Sequence, residues 1–107
     1  MLAHSVYFQL KDRSPEAVAA LEASCREHLT GHPGEVAFSA GTLADYDRHV
    51  NDRDWDVFLL IVFDSKAAHD AYQTAPRHQQ FIAANATEWA RVRVFDADVA
   101  TWQARGA

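Results

Sequence analysis

The run WDVFLLIVF from Trp55 to Phe63 constrains the fold more than any other stretch of the chain. In an extended conformation Trp55, Val57, Leu59, Ile61 and Phe63 share one face, and Phe58, Leu60 and Val62 share the other. A strand with two apolar faces must be covered on both. The longest apolar run, Val57 to Phe63, is strand length and falls well short of the roughly 18 residues a membrane span needs, so no membrane partner is expected.

The flanking segments supply the rest of the architecture. His4, Val6, Phe8 and Leu10 alternate with Ser5, Tyr7 and Gln9, the period of a first strand. Ser14, Pro15 and Glu16 form a helix start, and Val18, Leu21, Cys25 and Leu29 continue at helical spacing to Gly31. The turn TGHPG, Thr30 to Gly34, leads into a second strand over about Val36 to Leu43. A polar loop from Ala44 to Asp54 precedes the apolar strand. Ser65 then caps a helix carrying Ala68, Ala71 and Tyr72, a further helical piece runs from Pro76 to about Ala90, and Arg91 to Val99 alternates as a last strand. The order β-α-β-β-α-β predicts an α+β, ferredoxin-like fold, a four-stranded antiparallel sheet with helices on one face. The bare face would carry Tyr7, Phe58, Leu60, Val62 and Phe95, a larger apolar patch than monomers usually show. A homodimer packed through the sheet face is the expected remedy.

A length of 107 residues implies one domain, with a core small enough to gain from self-association. The net charge of −5, with ten basic residues scattered singly, argues against nucleic acid or an anionic membrane as partner. Cys25 is the only cysteine, which excludes an internal disulfide and a multi-thiolate zinc site; its place between Leu21 and Leu29 suggests a packed thiol. The opening residues read as strand and not as a signal peptide, so the expected location is cytoplasmic.

The segment AYQTAPRHQQF, Ala71 to Phe81, is where chemistry concentrates. Pro76 lacks an amide hydrogen and pushes Ala75 out of the helical region, so one helix should end near Thr74 and another begin at Pro76. Tyr72 and His78 then flank the break. His78 falls in a helical first turn, where positive partial charge disfavours imidazolium, and shares an apolar stripe with Phe81, Ile82, Ala86 and Trp89. A neutral imidazole and a phenol together supply a base and a proton donor, the two groups that enolisation beside a carbonyl requires. A packed core histidine bonded to a backbone carbonyl is the structural alternative.

Four motifs in order, H-x-V-x-F-x-L from His4, the proline turn at His32, Pro33 and Gly34, NDRDWDVFLLIVFDS from Asn51, and AYxxxPxHxxF from Ala71, resemble the stress-responsive A/B barrel, or Dabb, family over nearly the whole chain. The resemblance implies a ferredoxin-like dimer whose two sheets form a dimeric α/β barrel. It also implies a small-molecule pocket, because a plant polyketide cyclase of that family closes its substrate by aldol condensation without a cofactor, using a Tyr and His pair. Tyr72 and His78 match that pair as catalytic candidates, and His4, Val6, Phe8, Leu59, Phe81, Trp89, Val92 and Val94 fall where a similar substrate pocket would be lined. Val57 departs from the pattern, since the cyclase has a second pocket histidine there. The functions implied are a cofactor-independent acid/base enzyme, a cyclase, isomerase or lyase, acting on a small apolar, aromatic or carbonyl compound, or else a non-catalytic stress-associated homo-oligomer.

No cofactor and no metal are expected. A calcium loop beginning at Asp45 would place Val50 where glycine is needed and Asp56 where a bidentate glutamate is usual. The acidic loop reads instead as solvated, with Arg48 and Arg53 offsetting its acids. His28 and His32 are separated by the helix-ending Gly31, and His69 reads as a surface residue. Glycine-rich phosphate loops, G-x-S-x-G and H-E-x-x-H are all missing from the sequence.

Overall fold

The computed structural model describes residues 1–103 and contains the expected order: β1 (Leu2–Leu10), α1 (Pro15–Leu29), β2 (Glu35–Gly41), β3 (Val57–Phe63), α2 (Lys66–Thr74), α3 (Pro76–Asn85) and β4 (Trp89–Asp98). The strands form one antiparallel sheet in the order β2-β3-β1-β4. This is the ferredoxin-like α+β fold. Central β1 sets the register, with Val6 opposite Leu59 on one side and Val94 on the other. Its residues alternate strictly, Leu2, His4, Val6, Phe8 and Leu10 being buried under the helices.

Local chemistry explains each boundary. Ser14 and Ser65 accept hydrogen bonds from Ala17 and Ala68 and cap α1 and α2. The last-turn carbonyls of α1 are satisfied from outside the helix: Thr30 Oγ1 donates to Arg26, His32 Nε2 to His28, and the Arg77 guanidinium to Glu27 and Thr30. In the following turn Gly34 adopts φ +86°, where a Cβ would collide with Ala68. Between the helices and the sheet, Phe8, Leu29, Val57, Leu59, Ile61 and Phe63 are almost fully enclosed, each burial worth about 1.5–3 kcal/mol against exposure.

Several expectations are corrected. The helix does not reach Ala90: Asn85, at φ −125°, leaves the helical region, its amide donates to Phe81 O and Ser24 Oγ, and a short 3₁₀ turn (Ala86–Glu88) leads straight into β4. Trp89 therefore comes from a strand. Trp55 lies outside β3 and does not follow its alternation; it packs beside Tyr7 under the Arg91 guanidinium, on the face away from the helices. The acidic loop is offset by Arg53 as expected, through Asp45 and Asp47, but not by Arg48: Arg13 and Arg91, from outside the loop, hold Asp54, and Arg13 also holds Asp56. Arg48 instead donates to Asn51.

The face away from the helices carries Tyr7, Phe58 and Leu60, all half-buried, and Phe95, which is 51% exposed. Val62, expected to lie open there, is buried between the paired strands at Ala3 and Ala37. Among the described residues no helix is long and apolar enough to cross a membrane.

Candidate active site

Ala75 adopts an extended conformation, φ −63° and ψ 144°, which ends α2 and lets Pro76 start α3 at an angle to it. Arg77 anchors the new helix by its two bonds to the carbonyls at the end of α1, 2.7 and 2.6 Å long. The turn thus held brings Tyr72 and His78 inward together. Their rings meet edge to face with centroids 4.7 Å apart.

One cavity of about 140 Å³ lies beneath them, between the helices and the sheet. Around it the structure brings together Tyr72, His78 and all eight residues expected to line a pocket: His4, Val6, Phe8, Leu59, Phe81, Trp89, Val92 and Val94. Leu29, Gln73 and Ile82 complete the lining and were not anticipated. Phe8, Phe81 and Trp89 form an aromatic wall, with centroids 4.9 to 6.1 Å apart. Edge strand β4 is poorly covered by the helix layer, so Val92 and Val94 remain 39% and 49% exposed on the cavity side.

Two buried polar atoms of residues that line this cavity, His78 Nδ1 and Trp89 Nε1, lack a hydrogen-bond partner. Such atoms are costly and uncommon in folded proteins, and when they border a cavity a ligand's polar groups can meet them. Burial first, then the neighbouring imidazoles of His4, His32 and His69, hold the His78 pKa below its ordinary value. The cause differs from the helix terminus invoked from sequence, but the ring is neutral at neutral pH either way. The Tyr72 phenol is pushed up by burial, then by Glu35 and Cys25, and stays protonated. A neutral base beside a phenolic donor can take a proton from carbon and stabilise a developing enolate oxygen.

Other candidates resolve differently. His69 is not a surface residue: its side chain is 12% exposed, and its ring stacks at a tilt on His4, centroids 5.1 Å apart. The shared neighbour is Asp96, whose Oδ1 lies 2.6 Å from His4 Nδ1 and 3.6 Å from His69 Nε2. These three are the only His, Cys, Asp or Glu group of metal-binding proximity among the described residues, their ligand atoms falling within 4.8 Å of one another. Asp96 continues the period of Val92 and Val94 along β4, a sequence signal that pointed to the same face. His32 and His28 serve the α1 terminus, as their bonds to His28 O and Ser24 O indicate. Cys25 is wholly buried and its thiol is pushed up to about 12 by burial, as expected of a packed residue.

A larger concavity, about 480 Å³, lies elsewhere, on the bare face between Tyr7, Trp55, Arg93, Phe95 and the loop residues Leu43 and Val50 to Asp52. It is an open depression on the apolar sheet face, remote from Tyr72 and His78.

Comparison with known proteins places the chain. The profile of the stress responsive A/B barrel domain matches residues 2–99. The chain belongs to that family. No curated protein matches it. Among solved structures, this A/B barrel protein is similar to one from Arabidopsis thaliana at 21% identity and a TM-score of 0.77, covering 97% of this chain and 100% of that one. A Dabb family protein with a ferredoxin-like fold from Mesorhizobium loti is 19% identical with a TM-score of 0.77, covering 94% and 97%. A dimeric ferredoxin-like protein of unknown function from Thermobifida fusca is 18% identical with a TM-score of 0.74, covering 92% and 90%. At these identities the likeness is one of fold.

Proposed function

We propose that this A/B barrel protein binds a small apolar or aromatic carbonyl compound in the cavity below the α2–α3 junction and transfers a proton on it without a cofactor, as a cyclase, isomerase or lyase. His78 is the base and Tyr72 the donor. His4, Val6, Phe8, Leu59, Phe81, Trp89, Val92 and Val94 bind the substrate. The observation that carries the reading is the pair of unpartnered buried nitrogens, His78 Nδ1 and Trp89 Nε1, on residues that line a cavity shared with Tyr72. The test is turnover of activated aryl ketones and linear polyketide mimics by wild type, H78A and Y72F: loss in both variants with unchanged melting supports the reading, and equal loss of activity and stability contradicts it.

The second reading is a non-catalytic stress-associated homo-oligomer, and cavity size favours it. About 140 Å³ holds a benzene-sized molecule, below the roughly 300 Å³ at which drug-sized sites begin. Both readings include a homodimer through the sheet face, supported by the exposure of Phe95 beside Tyr7, Phe58 and Leu60, and by the dimeric state of the Thermobifida fusca protein.

A further inference from the structure

We propose that His4, His69 and Asp96 form a three-ligand site for a divalent transition-metal ion of the zinc class. The site is assembled from three elements, β1, α2 and β4, and no sequence motif joins its members. It shares His4 with the proposed substrate pocket, while the proton-transfer reading assigns no role to His69 or Asp96.

The orientation of the rings carries the inference. His69 Nδ1 lies 3.2 Å from the Asp70 carboxylate, and with the proton on that nitrogen Nε2 keeps a lone pair. That lone pair accepts the Gln73 amide at 3.3 Å and is also turned toward Asp96 Oδ1 at 3.6 Å. In that tautomer the lone pair and the carboxylate oxygen repel unless a cation, a metal ion or a proton, lies between them. The same Oδ1 faces His4 Nδ1, so two imidazole nitrogens and one carboxylate oxygen converge on one point. Two-histidine, one-carboxylate sets suit zinc, with metal–nitrogen distances of about 2.0–2.1 Å and metal–oxygen distances of about 2.0–2.2 Å, and such sites keep a further position for water or a ligand oxygen. Asp70 stands where metal-bound histidines usually find their outer carboxylate, holding the second ring nitrogen. The 2.6 Å contact between His4 and Asp96 must open to admit an ion. Asp96 permits this, because it lies on edge strand β4 with its side chain 41% exposed. Since His4 also lines the cavity, the ion's open position would adjoin it.

Calorimetric titration of chelator-stripped full-length protein with zinc chloride, and with cobalt chloride followed by visible absorption, tests the site. One ion per chain, with cobalt bands characteristic of nitrogen and oxygen ligands, is expected. H69A and D96N should each weaken binding at least about 100-fold, and D70N about 10- to 100-fold through the second ring nitrogen. D96N, on an exposed edge strand, keeps the test available should H69A fold poorly. Absence of saturable binding at millimolar zinc, or wild-type affinity in D96N or in folded H69A, would overturn the site and leave the cluster as a hydrogen-bonded network occupied by a proton.

Discussion

The Tyr72 ring stands edge-on to the His78 imidazole, 4.7 Å between centroids, across a helix break that Ala75 and Pro76 create. In a continuous helix, residues six apart project from different faces, so the break is what turns both side chains to one cavity.

The phenolic hydroxyl is removable without removing the ring. Y72F should retain the contacts of Tyr72 with His78, His32 and Phe63 and melt close to wild type, while any turnover falls about 100- to 10,000-fold, the usual range for a lost proton-transfer group. Steady-state kinetics beside a thermal melt separates the two effects.

Acid should destabilise the protein through His78. Its folded pKa lies below the ordinary 6.5, so above 6.5 the ring is neutral in both folded and unfolded chains. As pH falls through 6.5 the unfolded chain takes up the proton first, and stability drops until the folded pKa is reached. H78Q should flatten this limb in urea midpoints recorded from about pH 8 to pH 5, whereas an unchanged limb would assign the loss to other groups.

Arg77 is expected to matter more than its half-buried position suggests. Its guanidinium holds two carbonyls at the end of α1, and charge-assisted bonds of this kind are worth about 1.5–3 kcal/mol. R77A should lose about 1–3 kcal/mol in denaturant unfolding and shift the His78 resonances, because α3 loses its anchor.

Much of this was legible in the sequence because it depended on period and punctuation. Alternation in β1 and β3, serine caps before α1 and α2, and Pro76 determine element order, and element order determines the sheet. The pocket lining followed from a family resemblance, and the structure gathers those residues around one cavity. What was not legible depended on side chains reaching between elements. Asn85, at the end of α3, bonds to Ser24 of another helix, a contact that no local sequence pattern reports. His69 is drawn under cover by His4 and Asp96, neither of which is near it in sequence. Trp55 leaves the alternation of β3 for a place between Tyr7 and Arg91.

The sheet face yields a separate prediction. L60D places a charge among Tyr7, Phe58 and Phe95, and an uncompensated buried charge costs several kcal/mol, so sedimentation should give a dimer for wild type at micromolar concentration and monomer or aggregate for the variant. A monomeric wild type would contradict the sheet-face interface.

The cavity claim is tested most directly by the Trp89 indole N–H resonance, since that donor is buried, unpartnered and carried by a cavity-lining residue. Titration with small phenols and aryl ketones, followed by proton–nitrogen NMR, should shift the Trp89 indole and His78 ring signals together, saturably, while the Trp55 indole on the opposite face stays in place. H78A should abolish or weaken that response. Signals at Trp89 and His78 that do not move at millimolar ligand, or shifts confined to Trp55 and the sheet face, would contradict a ligand site between Tyr72 and His78.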